Sequence, residues 1–564
     1  MRLRIAPLRR GSPIALMAAL ALIVAACAGE EVTPTPQPPV ETQPPAATQP
    51  PETQPPAVEK AKIVVSLSDT VSVIEPHTFR TTSAYWVTDA LYDPLLSQIF
   101  EETEGQWLGS TTHEGRGAVS FEASDDLLTY TFTIRDGHKF ANGEPVTAED
   151  YKYVFQRSIE SAADQGEGYI GLLLPFVGID SADQLQVIDD KTFVITPSLA
   201  SPLFERFMTF QVFGALDKDF LESVATEDDP WSFRAMDQAG AGSGPYTMTG
   251  EWDPDTQLEL APNPNYWNAD AVANGGIIVR NVPNADSRAQ LLLAGELDLA
   301  TGLPPQLLTE LEADPNVTVY AAPTSGVEYL GMNVNIPPFD NQDFRQAIAY
   351  AVPYQALLDQ VMFGFASYAG TPVPTHMDTF AGKGPTLDLE KAQAFVDASG
   401  VDVSDLAITL TVRESRSTNQ EAAVLIQDSL RQLGITMNID IIPDADFATK
   451  QAAGELPMQI HDWYSWGEDP FYQMTFLTTC GSFANYALWC NDDYDALVQQ
   501  GVRTADLAER DRISAEAQDI FLAEMPWATL WATDRTVAVR SCITGVERGY
   551  TNISSFWRLD KSGC

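Results

Sequence analysis

Basic residues are scarce in this sequence. It has 33 Lys and Arg against 78 Asp and Glu among 564 residues, which gives a net charge of −45. A surface this acidic repels the phosphates of nucleic acids and the headgroups of anionic lipids, so neither is expected as a partner. We interpret the excess of acid as adaptation to a saline or acidic exterior rather than as a site for a cationic ligand.

Catalytic motifs are also scarce. The sequence has no H-E-x-x-H, no G-x-S-x-G and no phosphate loop. Asp and Glu are so frequent that a catalytic carboxylate pair stays open, but no spacing singles one out. The histidines are isolated from one another and are interpreted as surface or core residues: His77, His113, His138, His376 and His461. The sequence therefore predicts neither an enzyme nor a bound cofactor or metal.

Long hydrophobic runs are confined to the N-terminus. Four arginines among the first ten residues precede the apolar stretch Ile14–Ala26, which is short for a membrane span. The stretch ends in Val24-Ala25-Ala26-Cys27, which resembles the lipobox of bacterial lipoproteins. In those proteins the signal peptide is removed before the cysteine, which then carries diacylglycerol. We therefore predict a signal peptide over residues 1–26 and lipidation of Cys27. The alternative is an ordinary secretory signal followed by an incidental cysteine.

Proline dominates the next segment, residues 27–60, in which a T-Q-P-P unit repeats. Proline fixes φ and favours polyproline II structure, which rises about 3.1 Å per residue. The segment has too few apolar groups to fold, so we predict a semi-rigid tether behind the lipid anchor. The alternative is a ligand for a proline-binding domain. An anchored protein would lie at the outer face of the cytoplasmic membrane or in the periplasm.

Cysteine is rare, and four residues remain beyond Cys27: Cys480, Cys490, Cys542 and Cys564. An even number of cysteines in an exported protein predicts disulfides, and four cysteines allow three pairings. Nearness in the sequence favours Cys480–Cys490 and Cys542–Cys564. Because no C-x-x-C occurs, neither a redox motif nor a zinc ribbon is favoured.

Strand and helix patterns alternate from residue 61 onwards. Ile63–Ser68 and Thr129–Ile134 have the composition and alternation of β-strands. Thr147, with Asp150 three residues later, predicts a capped helix, and Asp340 is expected to cap another. This alternation with short turns predicts an α/β fold.

Five segments, taken in chain order, resemble the bacterial extracellular solute-binding proteins of family 5, the oligopeptide, dipeptide and nickel-binding group of ABC importers. The strongest is TYTFTIRDGHKFANGEPVTAEDYKYVF, which matches a family signature of a strand, an R-D-G turn, F-x-x-G-x-P and a capped helix. The matching segments are Thr129–Phe155, Gly242–Trp267, Leu291–Ala300, Met332–Val352, and the late pair Asp462–Pro470 and Leu507–Met525. The chain is identified as a member of this family from about residue 61 to its C-terminus.

The resemblance implies a two-lobed, periplasmic-binding-protein-like α/β fold with an extra subdomain in the first lobe. The first lobe is expected to comprise residues 61–283 and 487–564, and the second lobe residues 284–486. The chain is expected to cross between the lobes near Val282-Pro283 and near Asn485-Tyr486. A ligand held between the lobes would favour the closed form, because it contacts both walls only there.

The resemblance also implies a function. The protein is expected to be the substrate-binding lipoprotein of an ABC importer, which captures peptides or peptide-like solutes and delivers them to permease transmembrane subunits with their ATPases. It is expected to act as a monomer. The alternative within the family is an oligosaccharide, a nickel chelate or another non-peptide solute. An extracellular enzyme or an adhesive lipoprotein on the same scaffold has no supporting motif.

Two places in the first lobe are candidates for ligand contact by this resemblance. Thr81, Thr82 and Ser83 lie at the tip of a segment, Glu75–Trp86, that matches the family's cleft-lining loop. Their hydroxyls are able to hydrogen-bond a ligand, although a capped helix start explains them equally well. Asn281 lies near the first expected crossing, where peptide binders place a cleft-lining side chain.

The segment HDWYSWGEDP is the most informative for the ligand. In peptide-binding relatives it reads roughly G-W-x-x-D-Y-x-x-P, its backbone pairs with the peptide, and its Asp holds the peptide's ammonium. In an ungapped match that Asp falls on Trp466, with Glu468 or Asp469 as possible replacements. Aromatic side chains here suit sugars, apolar groups or cations, unless one or two are core residues. The candidate ligand-binding residues are Asp462, Trp463, Tyr464, Trp466 and Trp489.

Overall fold

The computed structural model describes residues 60–564 except 80, 104–105, 166–170, 172, 237–241, 251, 375, 378–382, 466, 468 and 549–554. Within these residues, no helix is long and apolar enough to cross a membrane. Cys27, the signal peptide and the tether therefore lie outside the described residues, as do Trp466 and Glu468.

Strands and helices alternate through the described residues. The strands are β1 (Ile63–Ser66), β2 (Leu96–Thr103), β3 (Gln106–Gly115), β4 (Ala118–Ala123), β5 (Tyr130–Ile134), β6 (Leu185–Asp189), β7 (Thr192–Ile195), β8 (Tyr246–Met248), β9 (Gln257–Pro262), β10 (Ile277–Arg280), β11 (Leu299–Thr301), β12 (Val317–Met332), β13 (Ala366–Ser367), β14 (Ala407–Arg413), β15 (Thr436–Ile442), β16 (Met458–Trp463), β17 (Trp527–Arg540) and β18 (Glu547–Arg548). The helices are α1 (Thr82–Leu91), α2 (Ala148–Gln165), α3 (Phe204–Phe207), α4 (Lys218–Val224), α5 (Ala285–Leu293), α6 (Pro305–Glu312), α7 (Gln342–Ala351), α8 (Tyr354–Ala356), α9 (Leu389–Ser399), α10 (Ser417–Leu430), α11 (Asp444–Ala452), α12 (Pro470–Thr478), α13 (Asp492–Val502) and α14 (Leu507–Glu524).

One large mixed sheet connects both lobes of this α/β fold. Its order is β15-β14-β16-β12-β17-β11-β1-β10-β9-β8, and β13 also pairs with β17. The two longest strands, β12 and β17, pair with each other on both sides of a register shift between Pro323 and Val327. On one side of this shift lie β11, β1 and β10, and on the other side lie β16 and β14. The β12/β17 pair is therefore shared by both halves of the sheet.

Helices cover both faces of the second half of the sheet. Because side chains alternate along a strand, Leu330 and Ile460 point to one face and pack with α7 and α10. Val327, Tyr329 and Trp463 point to the other face and join a core with α12, α13 and α14. The sheet is thus buried on both faces, as α/β folds require.

A smaller sheet belongs to the extra subdomain of the first lobe. It runs in the order β4-β5-β7-β6, and α2 packs beside β6 and β7. The N–H and the hydroxyl of Thr147 both donate to Oδ2 of Asp150, at 2.8 Å each, which holds the start of α2. A three-stranded sheet has the order β18-β3-β2, in which β2 and β3 precede β4 in the chain and β18 comes from the C-terminal segment.

The C-terminal segment is fastened to the first half of the sheet. Asp298, which is 1% exposed, accepts from Lys561 at 2.7 Å, from Arg540 at 3.2 Å and from the N–H of Val64 at 2.9 Å. Disulfides join Cys542 to Cys564 and Cys480 to Cys490, with Cα–Cα distances of 5.1 and 4.6 Å. The last residues are therefore part of the folded lobe.

The large sheet is continuous across residue 283, the expected lobe boundary, because β11 lies beyond it and pairs with β1 and β17. One detail of the chain path differs from the sequence-based expectations. The helix expected to be capped by Asp340 begins at Gln342 instead. Its cap is Asn341, whose Oδ1 accepts the N–H of Phe344 at 3.1 Å.

Candidate functional site

The candidate site is built from the ends of strands. β14 and β16 are parallel neighbours, so Arg413 and Trp463, their last residues, lie at the same edge of the sheet. Asp69 follows β1 in the first lobe in the same way. In open α/β sheets, ligands bind beyond the carboxyl ends of the strands, because strand and helix ends leave polar backbone groups there. The carboxyl ends of β14 and β16 on one side and of β1 on the other are therefore the candidate ligand site.

Asp462 is at the centre of a charged cluster on this edge. Arg413 lies 3.5 Å from its Oδ1 and Arg416 lies 3.3 Å from its Oδ2. Burial alone raises the pKa of Asp462, but the charges of Arg416 and Arg413, and that of His461 when it is protonated at acidic pH, more than offset this effect and hold the pKa below its usual value. Asp462 is therefore an ionised carboxylate whose two oxygens each face a guanidinium group.

His461 supports this cluster as a neutral ring. Burial, and secondarily the two arginines, lower the pKa of His461 to about 4, although Asp462 acts in the opposite direction. Because the ring is neutral, its Nδ1 is able to accept from Nη2 of Arg413 at 2.6 Å. The same guanidinium lies over the ring of Phe447, 4.8 Å from its centroid. Arg413 is therefore fixed from two sides, whereas the Arg416 side chain is 46% exposed.

Glu328 is a second carboxyl group in the same cluster. It is 7% exposed on β12 and lies opposite Asp462 in the strand register. Burial, followed by the charge of Asp462, raises the pKa of Glu328 to about 7, although Arg416, Asn419 and Arg413 lower it. The cluster consequently has two permanent positive charges and between one and two negative charges near neutral pH.

The first lobe contributes a polar wall. The N–H of Asp69 donates to Oγ of Ser83 at 2.9 Å, and the hydroxyl of Thr70 donates to Oδ1 of Asn281 at 3.2 Å. Asn281 also donates through Nδ2 to the carbonyl of Pro254 at 3.0 Å. The Asp69 side chain is left exposed by these contacts. Asp69, Thr70 and Asn281 line one small surface pocket together with Trp252 and Leu258.

The two walls interact electrostatically. The pKa of Arg416 is raised well above its usual value, first by Asp462 and then, against the effect of burial, by Glu328, Tyr464 and Asp69. Asp69 belongs to the first lobe, so its carboxylate lies within electrostatic range of an arginine of the second lobe. A cleft that has a carboxylate on one wall and a guanidinium on the other is complementary to a ligand with both charges.

Trp463 and Tyr464 line the end of β16. Nε1 of Trp463 donates to Oγ of Ser465 at 3.0 Å, so the ring offers only its faces and edges to other groups. The ring of Tyr464 packs on the backbone of Gly326, where a Cβ atom would lie 2.4 Å from Cε1. A larger residue at this position of β12 would therefore displace Tyr464.

The structure separates the sequence-based candidates. Asp462, Trp463, Tyr464 and Asn281 lie at or just after the ends of strands, and Ser83, on α1, contacts Asp69 after β1. Thr81 is the N-cap of α1 and accepts the N–H of Ala84 at 3.2 Å, as in the capped-helix alternative, and Thr82 is exposed.

Trp489 differs from its predicted role. It is 3% exposed, its Nε1 donates to Glu524 at 2.8 Å, and its ring packs edge-on against Tyr494 and Phe521. These contacts make it a core residue rather than part of a cleft wall. Asp469 caps α12, accepts the N–H groups of Phe471 and Tyr472, and pairs with Arg510, so it is engaged in the scaffold.

Sequence reasoning missed four members of the site: Asp69, Glu328, Arg413 and Arg416. Asp69 and Arg413 stand at or just after the ends of alternating apolar runs, IVVSLSD and AITLTVR, which is a signal visible in the sequence. Glu328 gave no such signal, because its position depends on the pairing of β12 with β16. Among the described residues, no group of three or more His, Cys, Asp or Glu is arranged to hold a metal ion.

Comparisons with known proteins agree with this architecture. The family model of bacterial extracellular solute-binding proteins, family 5, matches residues 114–485. The chain belongs to this family. Family 5 proteins are the solute-binding components of ABC importers, and most of them bind peptides. They are found in the periplasm or outside the cell. The family is one of transport proteins, not of enzymes.

Curated family 5 relatives cover most of the chain. The probable D,D-dipeptide-binding periplasmic protein of Escherichia coli K12 is 26% identical over 494 residues, which is 87% of this chain and 92% of that protein. Heme-binding protein A of Haemophilus influenzae is 25% identical over 77% of this chain and 82% of its own length. A dipeptide-binding protein of a Pseudoalteromonas strain, solved with Met-Leu, superposes with a TM-score of 0.75 at 22% identity over 89% of this chain and all of that one.

Proposed function

We propose that this protein captures short peptides, or solutes with the same pair of charges, between its two lobes and delivers them to the permease of an ABC importer. The observation that carries the proposal is the placement of charges on the cleft walls. Arg413 and Arg416 lie at the strand ends of one lobe, and Asp69 lies at a strand end of the other. A short peptide has a carboxylate for the arginines and an ammonium for Asp69, so it contacts both walls at once.

Ligand binding is expected to close the cleft. A peptide that spans the Asp69 wall and the Arg416 wall makes both sets of contacts only when the lobes are together, which shifts the population to the closed form. The irregular pairing of β12 and β17 around Pro323 and Val327 is where the two halves of the sheet meet, and it is the segment that we expect to bend.

The relatives support peptides but do not single them out. Two of the proteins compared above are named for dipeptides and one for heme. We favour peptides for this chain because its cleft has a positive and a negative group on opposite walls, whereas a neutral oligosaccharide offers no charge to Arg416 or to Asp69. The departure at Trp466 from the family's ammonium-binding Asp is consistent with transfer of that role to Asp69.

The test is a binding panel on the full-length protein in detergent. Thermal shift followed by calorimetry would compare di- and tripeptides with free termini, the same peptides with an acetylated N-terminus or an amidated C-terminus, heme, a nickel–histidine chelate and a maltooligosaccharide. We expect free peptides to raise the melting temperature and either blocked terminus to weaken binding. Binding of heme, chelate or sugar without any peptide would overturn the proposal.

Membrane anchoring is the second part of the proposal. Val24-Ala25-Ala26-Cys27 supports cleavage before Cys27 and lipidation of its thiol, and residues 28–60 then serve as the spacer. Cys27→Ser should release the protein from the membrane fraction, whereas Cys542→Ser should leave it there. Sedimentation of the Cys27→Ser variant with membranes in detergent-free buffer would show that the cysteine is not the anchor.

A further inference from the structure

An aromatic cluster adjoins the charged site on the second lobe. The ring of Phe476, on α12, is stacked at 25° to that of Trp463 with a centroid distance of 6.5 Å. Phe483 completes the group, with its ring 5.7 Å from Phe476 and 5.8 Å from Trp463. We call these three residues the aromatic shelf. Trp463 directly follows Asp462 in β16, so the two side chains point to opposite faces of the sheet, and the shelf and the charged cluster lie on either side of the same strand end.

The shelf is open to solvent at its outer end. Phe483 is 66% exposed, whereas Trp463 and Phe476 are half-buried. Phe483 lies inside the loop that the Cys480–Cys490 disulfide closes, and Ser482 in that loop donates to the carbonyl of Phe476. A short, crosslinked loop that displays a large apolar ring makes that ring available at a low cost in conformational entropy.

The first lobe faces the inner end of the shelf. Phe176, which precedes β6 in the first lobe, lies 6.2 Å from Phe476 and 5.2 Å from Tyr472, the latter in an edge-on arrangement. Phe207 of α3 lies 6.1 Å from Tyr472. Phe176, Phe207 and Tyr472 are buried, so these contacts pack α12 against the first lobe, and the part of the shelf left for a ligand is its outer part around Phe483.

The groups of the shelf are suited to an apolar ligand group. Phe476 and Phe483 have no polar side-chain atom, and Nε1 of Trp463 is occupied by Ser465. A sugar would need hydrogen-bond partners in addition to ring faces. A cation would bind the ring of a Phe more weakly than it would bind a carboxylate. An apolar or aromatic side chain gains from burial against all three rings.

We infer that the aromatic shelf of Trp463, Phe476 and Phe483 is a specificity site, which selects peptides with an apolar or aromatic side chain, and that the Cys480–Cys490 loop holds it in place. The inference rests on the proposed peptide-binding function. It adds the side-chain class of the ligand and assigns a role to a loop that the charged site does not use. A peptide that crosses the end of β16, with one charge near Arg416 and an apolar side chain on the opposite side, would contact both regions.

The test uses four tripeptides: Ala-Ala-Ala, Phe-Ala-Ala, Ala-Phe-Ala and Ala-Ala-Phe. Calorimetry on the wild type should show that at least one Phe peptide binds about tenfold or more tightly than Ala-Ala-Ala, as expected for burial of a phenyl ring. Phe483→Ala should reduce that preference to about threefold or less and leave the affinity for Ala-Ala-Ala unchanged. Leu507→Ala removes an equally exposed apolar side chain, 67% exposed on α14, and should leave the preference intact.

Three other results of these measurements would contradict the inference. If the wild type binds Ala-Ala-Ala as tightly as every Phe peptide, the shelf is not a specificity site although the protein still binds peptides. If Phe483→Ala weakens all four peptides equally, the ring acts in lobe closure and the inference is wrong. If no tripeptide binds, the inference falls together with the proposed function. A Cys480→Ser, Cys490→Ser double variant that is folded by circular dichroism should lose the preference as Phe483→Ala does.

Discussion

Glu328 and Asp462 lie directly opposite each other on the antiparallel strands β12 and β16, so a buried and a half-buried carboxyl group share one end of β16. Arg413 and Arg416 neutralise Asp462, and the pKa of Asp462 is lowered while that of Glu328 is raised to about 7. The environment has thus separated the titration of two chemically similar groups.

Glu328→Gln should stabilise the protein at alkaline pH. The folded-state pKa of Glu328 lies above its unfolded value, so the folded state binds the extra proton and this residue's contribution to stability falls as pH rises from about 4.5 to 7. The gain in unfolding free energy over wild type should be on the order of 3 kcal/mol at pH 8 and vanish near pH 4.5. Urea unfolding of both proteins between pH 4.5 and 8 measures the difference. A difference independent of pH would contradict the raised pKa.

Arg416→Gln should weaken binding of peptides with a free C-terminus. Loss of a charge-assisted contact is expected to cost about 1.5–3 kcal/mol, while peptides with an amidated C-terminus should lose much less. Arg512→Gln is the matched control, because Arg512 is half-exposed on α14 and pairs with Glu509 and Glu516 of its own helix. Equal affinities of wild type and Arg416→Gln for both forms of the peptide would mean that Arg416 serves Asp462 alone.

Asp469→Ala should be much more destabilising than Asp506→Ala. Both residues cap helices, α12 and α14, and loss of a cap costs about 1 kcal/mol. Asp469 also pairs with Arg510, which is 4% exposed, so its removal leaves a buried charge and should cost about 3–5 kcal/mol in all. Chemical denaturation of the two variants tests the difference. Similar losses for both would show that the buried ion pair contributes little.

Trp489→Ala should reduce the stability of the protein, whereas Trp463→Ala should reduce its affinity for peptides. Trp489 is buried, so its truncation should cost about 3–5 kcal/mol of stability and leave peptide affinity unchanged in the folded fraction. Trp463 is half-buried beside the charged site, so its truncation should mainly weaken binding. Melting curves and calorimetry on both variants separate the two roles. Weaker peptide binding by Trp489→Ala with unchanged stability would show that Trp489 contacts the ligand instead of the core.

The contrast between these two tryptophans shows what the sequence was able to predict. Local patterns indicated the α/β class, and the family motifs indicated two lobes, because strand alternation and turn residues are properties of short segments. Burial of Trp489 depends instead on Glu524, Tyr494 and Phe521, which reach it through the packing of α13 and α14. The charged site likewise joins residues 328, 413 and 462, and only the pairing of β12, β14 and β16 makes them neighbours.

Both ends of the described chain lie in the same lobe. The backbone of Ala61 accepts the N–H of Gly275, and the adjacent Asn274 donates to the carbonyls of Phe556 and Leu559 at 2.9 Å. Fluorophores attached near residues 60 and 564 would therefore keep a constant separation during lobe closure, and the energy transfer between them would not change on ligand binding. A reporter pair must place one dye on the other lobe, for example at Val424 on the exposed face of α10, to follow ligand capture in single molecules.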